Sequence, residues 1–125
     1  MDITTNEKTR YSDVELEEFK QLIEEKLEGA KSELKYFQTQ IIRSSQETEN
    51  NRGGFDDGSN SMEKESLNKL ASRQVKYIHH LENALIRIAN KNFGICRETG
   101  KLISKQRLQI VPHATLSINA KKAMK

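Results

Sequence analysis

Apolar residues recur along the first part of the chain at alternating steps of three and four: Leu16, Phe19, Ile23, Leu27, Ala30, Leu34, Phe37 and Ile41. That spacing keeps one stripe of an α-helix apolar and is the seam of a coiled coil. Ser12 followed by Glu15 makes a capping box at its start: the hydroxyl accepts the Glu15 amide while the carboxylate reaches back to the Ser12 amide. The pattern predicts a helix over about residues 13–47, about 50 Å long.

Between residues 44 and 61 the pattern collapses into Glu49, Asn50, Asn51, Arg52, Gly53, Gly54, Phe55, Asp56, Asp57, Gly58, Ser59 and Asn60. Clustered glycine and asparagine break a helix and permit the reversed backbone angles of a turn. A second stripe follows through Leu67, Ala71, Val75, Ile78, Leu81, Leu85 and Ile88. It predicts a helix over about residues 62–90, capped by Ser59, Asn60 or Ser61, with Glu63 and Glu65 in its first turn opposing the positive end of the macrodipole. Two such helices joined by one loop bury their stripes only by folding back antiparallel. The expected fold class is therefore mainly α: a long antiparallel two-helix coiled-coil hairpin over residues 13–92, with a tip loop at 48–60, plus a small module at 93–125. Residues 1–12 lack periodicity and form an arm, either loose or packed.

The module holds the chain's single proline, Pro112, and short apolar segments at Leu102 to Ile103 and Leu108 to Val111. Thr99 with Gly100 reads as a turn in which the glycine supplies a positive φ. Residues 116–124, rich in Ala and Lys, read as a short closing helix.

Composition agrees with long helices that bury a narrow stripe: 34% of residues are hydrophobic, 31% are charged and there is no Trp. The net charge of +3 conceals a division, since residues 1–92 carry 14 basic against 17 acidic side chains and residues 93–125 carry 7 against 1. Such asymmetry suggests that the two ends meet different surfaces. No stretch approaches the length of a membrane span, and the first ten residues lack the apolar run of a signal peptide, so a cytoplasmic protein is expected. A single cysteine rules out an intramolecular disulfide and agrees with that compartment.

Phe93, Gly94, Ile95, Cys96, Arg97, Glu98, Thr99 and Gly100 form a tight knuckle, and Ser117 and Ala120 repeat the spacing of Cys96 and Thr99. A structural zinc site needs about four Cys or His donors in two such pairs. Only Cys96 is one, so the frame is that of a zinc site without its ligands, and no metal is expected. Cys96 reads as a residual ligand, a reactive thiol or a small packed side chain. His113 reads as a surface or packed residue, and His79 and His80, about 100° apart on a helix, cannot chelate one ion together. No Gly-rich phosphate loop, paired carboxylate pocket or oxyanion arrangement accompanies these groups, and no enzyme is expected.

Lys76, Tyr77, Ile78, Leu81, Glu82, Ala84, Leu85, Arg87 and Ile88, followed by Phe93, Gly94, Ile95, Cys96, Thr99, Gly100, Ile103, Arg107, Leu108, Pro112 and Ala114 to Leu116, resemble the DksA/TraR family of bacterial transcription factors. The family's zinc ligands correspond here to Cys96, Thr99, Ser117 and Ala120. The resemblance implies a regulator of the stringent-response type that binds bacterial RNA polymerase and inserts its coiled-coil tip into the secondary channel. Family members present an acidic residue there in an Asp-x-Ala arrangement. Asp56 falls at that position, Asp57 follows, and Gly58 stands where alanine is usual. The globular end would dock on the polymerase rim and, in some members, help bind the alarmone ppGpp, which makes Arg87, Lys91, Lys101 and Arg107 candidate contacts. Asp56 and Asp57 are equally explained as turn formers.

Two alternatives stand beside this reading: a structural coiled-coil adaptor, and a DNA-binding protein using its basic C-terminal module. The leading reading expects a monomer without sequence-specific DNA binding or membrane association.

Overall fold

A computed structural model describes the backbone of residues 9–50 and 57–123 and the side chains of residues 9–46 and 62–123. It contains α1 (Asp13–Asn50), α2 (Asp57–Ala89), α3 (Lys105–Ile110) and α4 (Ile118–Ala123). The order of the long helices follows the sequence pattern. The expected tip loop of 48–60 is too long, because α1 continues to Asn50 and α2 begins at Asp57. Asp57, Ser59 and Asn60 suit the first turn of a helix, and Gly58 costs little so near an end, where few intrahelical bonds depend on it.

The capping box forms as expected: the Ser12 N–H donates to Glu15 Oε1 at 2.9 Å and the Glu15 N–H to Ser12 Oγ at 3.2 Å. At the other long helix, α2 stops in a Schellman turn. The Lys91 N–H donates to the Ile88 carbonyl and the Asn92 N–H to the Arg87 carbonyl, both at 3.0 Å, with Lys91 at φ 64° in the left-handed position that glycine usually takes.

The chain divides into two compact units, the first comprising the segment up to Lys26 together with that from His80 onward, the second Leu27–His79. In the first, Leu16, Phe19, Ile23, Leu81, Ala84 and Ile88 are buried with Phe93, Ile103 and Leu108 of the C-terminal segment. Tyr11 is buried with them, edge-on to Phe19 at 5.4 Å, and Phe19 lies 5.2 Å from Phe93. The arm is thus packed at its C-terminal end, and the Tyr11 hydroxyl donates to the Ile103 carbonyl.

In the second unit Leu27, Ala30 and Ile78 are buried while Leu34, Phe37, Ile41, Leu67 and Ala71 are half-buried. One seam position differs from expectation. Val75 is 39% exposed and Gln74 takes the inward place, its Oε1 buried without a hydrogen-bond partner among the described residues. The spacing explains this: 67, 71, 74, 78, 81, 85 and 88 is a strict alternation of four and three, which admitting Val75 breaks. Polar residues in such seams fix register at some cost in stability.

Two short helices complete the C-terminal segment. α3 replaces the apolar run expected at 108–111: Ser104 caps it, its Oγ accepting the Arg107 N–H at 3.2 Å, and only Leu108 of its six residues is buried. α4 starts two residues later than the closing helix expected at 116–124, because Ser117 acts as its cap, accepting the Ala120 N–H at 3.2 Å.

Candidate functional site

The knuckle is built by backbone bonds around Cys96. Its N–H donates to the Lys101 carbonyl and its carbonyl accepts the Gly100 N–H, both at 2.8 Å, while Ile95 and Leu102 form an isolated antiparallel bridge. Gly100 adopts φ 73°, as the turn requires, and Gly94 adopts φ 79°. The Ile103 N–H closes the loop onto the Gly94 carbonyl at 2.7 Å. The second half approaches through the Arg97 N–H, which donates to the Thr115 carbonyl at 2.9 Å, and the Ser117 N–H, which donates to Cys96 Sγ at 3.4 Å.

All four positions of the frame therefore belong to one local assembly. Cys96 is 1% exposed and Ala120 is 7% exposed. The Thr99 hydroxyl, and after it the Ser117 amide, favour the thiolate over the thiol and lower the Cys96 pKa from 9.0 to about 6.

The four candidate cations part company. Arg87 and Arg107 line one open groove of about 400 Å³ with His80, His113 and Lys121. Both guanidiniums also brace backbone: Arg87 Nη2 donates to the His113 carbonyl at 3.4 Å and Arg107 Nε to the Leu116 carbonyl at 2.9 Å. Burial pulls the Arg87 pKa down, though a guanidinium remains charged. Lys91 instead pairs with Asp13 at 3.2 Å, and the resulting bond, with that from Arg10, lowers the Asp13 pKa. Lys101 is exposed on the knuckle turn. Lys105, one of the basic residues of the C-terminal segment, binds Glu15 Oε2 at 2.7 Å, which raises its pKa. Asp56 lies outside the described residues, as does the side chain of Asp57.

The sequence reading missed Tyr11, Lys121 as a groove residue and the pairing of His80 with His113. His80 was set beside His79, its neighbour in sequence, yet its ring stacks on His113 at 5.2 Å. The basic character of residues 121–122 was the available signal for Lys121; contacts across 33 or more residues leave none in local spacing.

The family model described as "Prokaryotic dksA/traR C4-type zinc finger" matches residues 91–123. Among curated proteins, the "RNA polymerase-binding transcription factor DksA" of Caulobacter vibrioides, from two strains, is 32% identical over 122 residues, covering 91% of this chain and 84% of the relative. Among solved structures, transcription factor DksA2 from Pseudomonas aeruginosa superposes with a TM-score of 0.80 at 24% identity, covering 89% of this chain and 83% of that one. This last likeness speaks for the fold.

The zinc that a C4-type finger implies does not fit these residues. Cys96 is the single soft donor, and the fourth position is the methyl group of Ala120, packed inside with no atom to offer. Among the described residues, no group of three His, Cys, Asp or Glu side chains is placed to hold a metal ion.

Proposed function

The chain belongs to the DksA/TraR family, and on that footing we propose that it is a transcription regulator that binds bacterial RNA polymerase. The observation carrying this reading is its identity with an RNA polymerase-binding factor across most of both chains. The finer reading is that the tip between α1 and α2 enters the secondary channel, with Asp56 and Asp57 approaching the active centre, to modulate initiation. A helix of 38 residues spans about 57 Å, long enough to carry a small polar tip into a deep recess. Preformed helices also deliver that tip without the ordering cost of a flexible loop.

In this reading the segment from Phe93 onward anchors at the polymerase rim, and the groove between Arg87 and Arg107 is the place for an alarmone such as ppGpp. The protein acts in the cytoplasm, as a monomer. No described helix is long and apolar enough to cross a membrane. Direct DNA binding by the basic end is less well supported, since Arg107 and Lys105 spend donors on the Leu116 carbonyl and on Glu15. Retention of the full chain by immobilised bacterial core RNA polymerase tests the proposal. Absence of retention, with duplex DNA bound on its own and released steeply by salt, would favour the DNA-binding alternative.

A further inference from the structure

Two histidines distant in sequence meet face to face at the groove. His80, exposed on α2, and His113, half-buried after α3, stack with ring centroids 5.2 Å apart and planes 10° from parallel. Arg87, two turns along α2, adds its bond to the His113 carbonyl, and Pro112 beside it is buried. These contacts join residues 112–116 to α2. The same loop carries the Thr115 carbonyl that receives the Arg97 N–H and the Leu116 carbonyl that receives Arg107.

The charges facing the stack are of one sign. Arg87 comes from α2, Arg107 from α3 and Lys121 from α4, and among the described residues no carboxylate lines the groove. A proton taken up by His113 would place a cation between the stacked His80 ring and the Arg87 guanidinium. Burial first, then His80 and Arg87, hold the His113 pKa below its ordinary value of 6.5.

We propose that the His80–His113 stack is a proton-operated latch, closing residues 112–116 onto α2 near neutral pH and releasing them in acid. The direction follows from linkage. His113 binds a proton less readily when stacked than when released, so the closed arrangement is fully favoured above the ordinary histidine range and weakens as pH falls through it. The loss is complete below the lowered value. Release exposes the face carrying Arg87, Arg107 and Lys121, so a partner gripping this end meets a different surface in acid.

Amide hydrogen exchange of the full chain, read by NMR at Arg97 and corrected for intrinsic exchange, tests the latch at about pH 7.5 and about pH 5.5. Protection at Arg97 should fall in acid by roughly threefold to tenfold in the parent. In a Cys96→Ser background, where the neighbouring sulfur adds no fall of its own, it should stay level in His113→Phe, which keeps a ring against His80 but takes no proton. His113→Gln serves as the second non-titrating variant: its protection is lower at both values but equally level. Cys96 titrates nearby, so the fall must persist in Cys96→Ser. Unchanged protection in the parent, a fall that survives in either folded His113 variant combined with Cys96→Ser, or one that vanishes with Cys96→Ser alone would overturn the proposal.

Discussion

The ring of Tyr11 lies so close to Gly94 that a Cβ built there would come within 2.7 Å of Tyr11 Cε2 and 2.8 Å of Cδ2. A residue that sequence pattern leaves in an arm is thus a wall of the knuckle, with its hydroxyl anchored on Ile103. Gly94→Ala meets two penalties, a left-handed φ costing about 1–2 kcal/mol and a collision with a packed ring costing about 1–3 kcal/mol more. Gly100→Ala meets only the first, since nothing lies within 4 Å of its would-be Cβ. Urea unfolding should therefore rank Gly94→Ala well below Gly100→Ala. Equal losses would mean that Tyr11 does not pack there.

The seam makes its own prediction. Ile78 is 9% exposed and Val75 is 39% exposed. Ile78→Asp should cost several kcal/mol, because an unpaired charge enters the seam, whereas Val75→Asp should cost less than about 1 kcal/mol. Helicity and thermal melting of the two variants decide it, and comparable damage from both would return Val75 to the seam.

How much was legible in the sequence depends on the range of each interaction. The Ser12 and Glu15 capping box, the turn at Gly100 and the stripe from Leu16 to Ala30 are set by residues within a few positions of one another, and spacing reveals them. Gln74 shows the limit of reading by apolarity: a β-branched neighbour was preferred, although the period of alternating four and three selects the polar residue. Tyr11 on Ile103 and His80 on His113 join residues that nothing local connects. They arise only when the C-terminal segment packs against the helix ends. Of the candidate site, the frame of Cys96, Thr99, Ser117 and Ala120 was visible as spacing, but its cohesion through sulfur hydrogen bonds was not.

Metal should be dispensable. With the Ala120 methyl in the fourth position and one cysteine in the chain, protein purified in the presence of zinc should carry far less than one ion per chain. A strong chelator should leave its melting temperature unchanged, unlike a finger whose folding depends on metal. Elemental analysis showing stoichiometric zinc would sink this expectation.

The knuckle should instead depend on the ionisation of its sulfur. The Cys96 pKa is lowered from 9.0 to about 6, chiefly by the Thr99 hydroxyl and then the Ser117 amide. A depressed acid contributes stability that is fully present above its ordinary value and is lost as pH falls through the folded value. Parent stability should consequently rise relative to Cys96→Ser between about pH 6 and about pH 9, and Thr99→Val should shrink that rise. Parallel profiles for parent and Cys96→Ser across this window would show that the sulfur stays a thiol.

At the tip, stability and regulation should separate. Asp56 and Asp57 belong to neither apolar stripe of the sequence, and Asn keeps their size and can still serve a turn or a helix start, so changing both should cost less than about 1 kcal/mol. Polymerase binding in the proposed mode rests mainly on the module and the sides of the helices, and it should weaken only modestly. Initiation responds differently, because a carboxylate beside a catalytic centre acts through its charge, and Asn removes the charge while keeping the shape. The double variant should fold, remain bound to core polymerase and lose most of its effect on a sensitive promoter in an in vitro transcription assay. Regulation equal to the parent would make both aspartates turn formers and leave the family's tip mechanism without a counterpart in this chain.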